Sequence, residues 1–193
     1  MFNLMIAGVG GQGTVLASKI IATAAIKKGF NVRTTETIGM AQRGGSVFGH
    51  VRIGENIHSP LIPLGKADVI IAFEPAEAVR QLSYLRNGGA VIVCDSAIMP
   101  VGASADQKAG AYEAKVMIEY LQKNTTRLIV LDGKRLTEHN AKTLNVALLG
   151  AAAQSQIFPF DAETIKDVLP EMLPERFLEM NLKAFESGIE IAP

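Results

Sequence analysis

Cysteine is nearly absent: Cys94 is the one thiol in 193 residues. That is too few for a disulfide framework, and too few for an iron–sulfur cluster held by this chain alone, which takes about four thiolates. Reduced, cytoplasmic chemistry is the expectation. An excess of charge is missing too, because 19 Lys and Arg balance 19 Asp and Glu. No global field is left to hold a nucleic-acid backbone or an anionic membrane surface. No apolar run approaches the ~18 residues of a membrane span, since Lys19, Lys27 and Lys28 interrupt the most apolar stretch. The first residues lack a basic segment and run into a glycine loop instead of a cleavage site, so they do not read as a signal peptide. His50, His58 and His139 are far apart and lack metal-ligand spacing, and Ser18 and Ser96 have no nearby His and acid to form a nucleophilic triad.

What is abundant is apolar: 48% of residues, against 20% charged, where an average soluble protein carries about 25% charged. Either much of the surface is covered by partners or the core is unusually large.

The order of elements follows from hydrophobic pattern. Phe2 to Ile6 is a short apolar run ahead of glycines and reads as a buried strand. Gln12 to Lys28 places apolar residues near helical spacing, with Gly29 as its stop, and Asn31 to Thr35 reads as a second strand. Strand, glycine turn, helix and strand form a βαβ unit with parallel strands. Thr37 to Gly54 breaks the rhythm with five glycines. It is expected to be a loop followed by an irregular hairpin, Ser46 to Ile53 with Ile57 to Ile62, inserted at one edge of the sheet. Ala67 to Phe73 and Ala90 to Asp95 are continuous apolar runs, as in strands covered on both faces. Between them a helix starts at Pro75 and ends at Asn87–Gly88–Gly89. A helix near Tyr112 to Lys123 leads to a strand at Arg127 to Leu131, and the last third is helical: Asn140 to Gln156, Ala162 to Leu169 and Glu175 to Ser187, with Pro170 and Pro174 between the last two. The fold class is therefore α/β, a doubly wound, mostly parallel, Rossmann-like sheet with an inserted hairpin and C-terminal helices. Residues 1–193 form one domain, with 160–193 its helical tail.

Two loops carry candidate chemistry. Gly8-Val9-Gly10-Gly11-Gln12-Gly13 matches G-x-G-x-x-G between a strand and a helix. Gly8 would make the tight turn, Gly10 would let the backbone approach a ligand, and Gly13 would let helix and strand pack closely. Free N–H groups at the helix start favour a phosphate, and Glu36 stands where an acid could take a ribose hydroxyl. A glycine-rich turn of this kind also forms where one backbone packs on another with no nucleotide, and both readings stand on the residues alone. The second loop, Met40-Ala41-Gln42-Arg43-Gly44-Gly45, is flexible and rich in donors. Arg43 there suits a carboxylate or phosphate, or an acid on another subunit. Glu74 and Asp95 end strands at the carboxyl edge, where α/β sites form, and each also suits a helix cap. Cys94 reads as a buried, inert thiol and the methionines as core filler.

GVGGQG, then ETIGMAQRGGSVFGHVRIG, then LNVALLGAA and the closing NLKAFESG occur in one order. Together they resemble the gamma-type subunit or domain of 2-oxoacid:ferredoxin oxidoreductases, over nearly the whole chain. AQRGG followed by a G-x-V-R-I-G strand is the more specific motif. Among these proteins the chain looks most like the beta subunits of indolepyruvate ferredoxin oxidoreductases, with pyruvate and 2-oxoglutarate gamma subunits as near relatives. The resemblance implies the fold of domain III of pyruvate:ferredoxin oxidoreductase. It also implies a larger partner subunit that binds thiamine diphosphate with Mg²⁺ and carries the iron–sulfur clusters. The complex would decarboxylate a 2-oxoacid oxidatively, reduce ferredoxin and transfer the acyl group to coenzyme A. This chain would be the cluster-free accessory subunit, with no catalytic residue and no metal ligand of its own. Separately from the resemblance, apolar surface exposed in the absence of the partner makes a homodimer the expectation for the isolated chain. Under the resemblance Glu36 belongs to the second loop and not to a ribose site. Gly8, Gly10, Gly11, Gln12 and Gly13, with Gln42, Arg43, Gly44 and Gly45, are expected to form one surface facing coenzyme A or the partner. Two rivals remain: a stand-alone dinucleotide-binding oxidoreductase, and a purely structural assembly subunit.

Overall fold

The computed structural model describes residues 1–37, 44–99, 112–138 and 140–193. Six strands form one sheet in the order β2-β3-β1-β4-β5-β6. β1 (Phe2–Val9), β4 (Ala67–Ala72), β5 (Leu85–Cys94) and β6 (Arg127–Leu131) run parallel. β3 (Ser46–Ile53) is antiparallel both to β1 and to β2 (Val32–Glu36).

The near-continuous apolar runs arise because both faces of the sheet are covered. Leu4, Ile6, Val69, Ile71, Ala90 and Ile92 join the core under α1 (Thr14–Lys27), α5 (Leu144–Gln154), α6 (Ala162–Lys166) and α8 (Glu175–Ile191). The alternate residues Met5, Ala7, Ile70, Ala72, Val91 and Val93 meet α2 (Pro75–Gln81) and α3 (Ala114–Asn124) on the other face. The fold is thus doubly wound α/β with a mixed sheet. Among the described residues, no helix is long and apolar enough to cross a membrane.

The inserted segment departs from expectation in two ways. β3 lies inside the sheet, between β2 and β1, so the first two strands run in the same direction without being neighbours. Composition explains the order: β2 reads Val-Arg-Thr-Thr-Glu and tolerates an edge, whereas five of the eight β3 residues are buried. The second departure is that residues 57–62 form no strand. Pro60 and Pro63 cannot donate to a ladder, and the segment is held by side chains instead. Arg52 donates from Nη1 to the carbonyls of Ser59 (2.8 Å) and Leu61 (3.2 Å), and the Ile62 N–H donates to His50 Nδ1 (3.3 Å).

Three boundaries also differ. The helix begun by Pro75 closes at Gln81 with a single 3₁₀ turn, and Asn87–Gly89 belongs to the start of β5, where pairing with β4 is bulged. A short helix, α4 (Gly133–Leu136), follows β6 and is capped by Asp132. Pro170 sits in the first turn of α7 (Leu169–Met172), not between helices. α8 packs on α5 with glycines at the crossing: a Cβ on Gly150 would lie 2.1 Å from the Phe185 carbonyl oxygen, and one on Gly188 would lie 1.9 Å from that of Ala147.

Candidate functional site

The carboxyl ends of β1 and β4 and the start of β3 converge at the glycine turn. β1 ends at Val9, and α1 begins at Thr14 with Gly13 as its N-cap and no side-chain cap on the first-turn N–H groups. Those donors give the edge a positive potential. The exit of the second loop lies against this turn. Gly10 N–H donates to the Gly45 carbonyl (2.8 Å), and Gly44 N–H donates to the Gly10 carbonyl (3.2 Å). Gly10, Gly44 and Gly45 therefore share one surface. Gln42 and Arg43 lie outside the described residues.

The turn divides its residues between packing and presentation. Gln12 folds back on the chain: its Oε1 accepts from Val9 N–H (2.6 Å) and its Nε2 donates to the Phe73 carbonyl (3.1 Å), which ties the turn to the end of β4. A Cβ on Gly8 would sit 2.9 Å from both Gln12 Oε1 and Thr14 Cγ2. Gly13 has φ +83° and lies under Asn145 of α5, whose Nδ2 would be 2.4 Å from an added Cβ. Gly11 differs from these, since it has φ +105°, is exposed, and would meet nothing within 4 Å of an added Cβ. Gly11 is the part of the turn open to another molecule, whereas Gly10 commits its N–H and C=O to Gly45 and Gly44. Beside Gly13, a groove of about 260 Å³ is lined mainly by Leu16, Met172, Leu173, Phe177 and Met180, with Lys142 and Asn145 among its polar members.

A buried acidic pair supports the same edge: Glu74, which the sequence marks as a strand end and helix cap, and Glu77, which motif reading missed. Glu74 is fully buried and caps α2. Its Oε2 accepts from Glu77 N–H (3.0 Å), and its Oε1 accepts from the Tyr112 hydroxyl (3.0 Å) and the Ile98 N–H (3.4 Å). Burial pushes its carboxyl above the ordinary glutamate range against those three donors. Tyr112 is pushed up to about 12, by burial first and then by the Glu74 charge. Glu77 accepts from the Ser46 hydroxyl (2.5 Å) and from Arg80, and so joins the network to the first residue of β3. A lone Glu ending a strand signals a cap in sequence; two of its three donors, Ile98 N–H and the Tyr112 hydroxyl, come from segments far along the chain.

The other candidates are structural. Asp95 Oδ1 accepts from Gly133 N–H (2.8 Å) at the start of α4. His50 is buried between the rings of Phe48 and Tyr84, and burial lowers its basicity first, with Arg52 adding to the effect. Cys94 is buried in β5, and burial raises its thiol. Ser18 is buried with no partner for its hydroxyl among the described residues, and His139 lies outside them. Glu36 ends β2 with its carboxyl raised mainly by burial. It cannot serve a ribose as in a dinucleotide fold, where the acid ends the strand beside β1: β3 fills that place here, which sets Glu36 one strand further away.

Residues 3–191 match the family described as pyruvate ferredoxin/flavodoxin oxidoreductase. The chain is 38% identical over 195 residues to the indolepyruvate oxidoreductase subunit IorB of Pyrococcus horikoshii, covering 99% of this chain and 96% of that protein. In structure it is similar to the gamma subunit of a keto/oxoacid ferredoxin oxidoreductase from Geobacter sulfurreducens, with a TM-score of 0.70 and 21% identity over 100% of this chain and 98% of that one. It is also similar to part of a 2-oxoglutarate:ferredoxin oxidoreductase from Magnetococcus marinus solved with 2-oxoglutarate, coenzyme A and succinyl-CoA bound. There the TM-score is 0.70 and the identity 22%, over 99% of this chain and 31% of that one. At that identity the structural likeness speaks for the fold.

Proposed function

The chain belongs to the pyruvate ferredoxin/flavodoxin oxidoreductase family, and from that premise we propose that it is the cluster-free accessory subunit of an indolepyruvate-type 2-oxoacid:ferredoxin oxidoreductase. The observation that carries this reading is the 38% identity to an indolepyruvate oxidoreductase subunit over nearly the full length of both chains. The overall reaction transfers the acyl group of a 2-oxoacid anion to the sulfur of coenzyme A. The bond to the carboxylate breaks to release carbon dioxide, the thiol proton is released, and two electrons pass to two one-electron ferredoxins.

Residue chemistry assigns the labour between subunits. Cys94, the one thiol, is buried in the core, so the thiolates of any cluster come from a partner. Among the described residues no group of three His, Cys, Asp or Glu side chains converges as metal ligands would, so the residues present do not fit Mg²⁺ or a cluster. Thiamine diphosphate, Mg²⁺ and the clusters belong in this reading to a larger cytoplasmic partner, which supplies the carbanion and electron-transfer chemistry.

The part left to this chain is to bind and orient. Gly11 exposes backbone just ahead of α1, beside the contact of Gly10 with Gly44 and Gly45, and the uncapped first-turn N–H groups of α1 favour an anion. Coenzyme A is the anionic co-substrate of the reaction, and the surface faces it or the partner's thiamine site. Arg43 would hold an anionic group of coenzyme A or substrate, or pair with a partner acid. A purely structural role has one observation in its favour, because Gly8, Gln12 and Gly13 are already committed to packing.

The test is anaerobic co-purification of the tagged chain from its native cells, with mass identification of what accompanies it and 2-oxoacid-dependent dye reduction by the eluate. A thiamine-dependent, cluster-bearing partner is the expected result, and the preferred 2-oxoacid then names the enzyme. A lone chain carrying a nucleotide overturns the reading. In the reconstituted complex, Arg43→Ala should lower turnover or loosen assembly; unchanged rates with unchanged co-elution remove Arg43 from this role.

A further inference from the structure

The ladder between β1 and β3 ends at Val9 and Ser46, and the glycines beyond it continue the contact by backbone alone. Gly10 N–H reaches the Gly45 carbonyl and Gly44 N–H reaches the Gly10 carbonyl, but none of the three has a side chain to anchor it, and Gly44 holds φ +74°. Glycine gains more freedom than any other residue when such a contact opens, and the bonds at the end of a ladder fray first. Ser46 is the first residue after them that a side chain can tie down. It shares the face of β3 that carries Phe48 and His50, and that face lies toward α2.

The tie is Glu77. The Ser46 hydroxyl donates to Glu77 Oε2 (2.5 Å), and Arg80 donates to Oε1. The Glu77 side chain is 2% exposed, so water competes little for it, and a hydrogen bond to a buried carboxylate is stronger than one between neutral groups. The same short stretch of chain also holds the other loop. The Phe73 carbonyl accepts from Gln12 Nε2 (3.1 Å), and Phe73 N–H donates to the Ala7 carbonyl (2.9 Å). Glu77 is itself set in place by its N–H, which donates to Glu74 Oε2 (3.0 Å). Both loops are thus referenced to Phe73–Glu77, one through Gln12 and the other through Ser46.

We propose that Glu77 is a positioning residue: acting through Ser46, it latches the exit of the second loop onto the glycine turn and keeps the two loops as one surface. Glu77 touches no ligand in this role. With the latch closed, Gly44 and Gly45 stay on Gly10, and the open backbone at Gly11 has a fixed neighbour. With the latch removed, the glycine bonds alone hold the contact, the joint surface exists for only a fraction of the time, and the affinity of whatever it binds falls by that fraction. Ser46 is in neither apolar cluster, so deleting its hydroxyl leaves the packing of both faces of the sheet intact. As a device for coenzyme A the latch rests on the function proposed above; as a contact it is a property of the chain alone.

The test compares Ser46→Ala, which deletes the hydroxyl, with Ser46→Thr, which keeps it. In the full chain, amide hydrogen exchange read by NMR should be faster at Gly10 and Gly44 in Ser46→Ala by roughly tenfold or more, with the amides of β4 unchanged. Ser46→Thr should restore slow exchange. In the reconstituted complex, Ser46→Ala should raise KM for coenzyme A by roughly threefold to tenfold with kcat retained, a split that a loss of global stability does not produce, and Ser46→Thr should recover it. Glu77→Ala should match Ser46→Ala at both amides, and combining the two should add nothing. Should Glu77→Ala fail to fold, the serine pair still decides. Amides at Gly10 and Gly44 that are unprotected in the wild type, or indifferent to Ser46→Ala, overturn the proposal. So does a KM in Ser46→Thr as high as in Ser46→Ala. Faster exchange with an unchanged KM, where Gly11→Ala does raise KM, overturns the positioning role and leaves the proposed function standing. If neither Gly11→Ala nor Ser46→Ala moves KM, the reading of this surface as a coenzyme A site fails, and the exchange result alone decides the latch.

Discussion

Glycine does different work at two crowded places in this chain, the crossing of α5 with α8 and the turn after β1. At the crossing of α5 and α8, Gly150 and Gly188 each face a backbone carbonyl across a gap too small for a methyl group, and neither carbonyl can move without its helix. At the turn after β1, what faces the glycines is the side chains of Gln12, Thr14 and Asn145, or in the case of Gly11 nothing within 4 Å. The crossing therefore fixes how the C-terminal helices dock. The turn is adjustable, and part of it is left over for another molecule. A glycine pattern alone does not separate these roles; what lies opposite each Cα does.

The sharpest way to break this comparison is Gly188→Val. Its Cβ would start 1.9 Å from the Ala147 carbonyl oxygen, so α8 must undock, at an expected cost of about 3 kcal/mol or more. Thermal denaturation followed by circular dichroism should show a large fall in Tm or loss of a cooperative transition; a native-like melt would mean that the crossing is not rigid.

Gly13→Ala should cost less, about 1–3 kcal/mol. It combines strain at φ +83° with a clash against the Asn145 side chain. Because that side chain can be removed, Asn145→Ala in the same molecule should recover the steric part, which urea denaturation of the four-member cycle would measure.

Gly11→Ala is expected to lose only about 1 kcal/mol, from its φ of +105°. Its larger effect should fall on the assembled enzyme, as a raised KM for coenzyme A with kcat retained. An unchanged KM would return the whole turn to packing and favour the assembly role.

The smallest effect is a pH dependence at Glu74. Burial raises its carboxyl in the folded state, so the folded protein holds this proton more tightly than the unfolded chain does. Stability from this group therefore falls as pH rises from the ordinary value of 4.5 through the raised one, and is regained as pH drops back. In Glu74→Gln that slope should disappear from a plot of Tm against pH, and a parallel plot would assign the titration elsewhere.

The strands at Phe2, Ala67 and Arg127 and the helix after the glycine turn were legible in sequence because their signals are local: continuous apolar runs and helical spacing bounded by glycine. The position of β3 was not. Which strand sits beside β1 depends on pairings among segments far apart in the chain, and a βαβ rhythm describes direction without adjacency. The 57–62 segment shows the opposite failure, in which apolar residues resemble a strand while Pro60 and Pro63 deny it a ladder. In the site, the motif marks the turn, but only what lies opposite each Cα divides Gly11 from Gly8 and Gly13. The buried pair Glu74 and Glu77 left no sequence signal beyond a helix cap.

The place of β3 between β2 and β1 also bears on how the chain is made. β1 leaves the ribosome ahead of both its neighbours, β3 and β4, whose last paired residues are Ile53 and Ala72. Until those residues emerge, the run Phe2–Val9 has no partner on either side and stays an unpaired apolar segment in the nascent chain. Pairing across such distances is slow to close, and exposed strands of this kind invite aggregation. The strand Phe2–Val9 is thus made early and paired late, complete only when Ala72 has joined it.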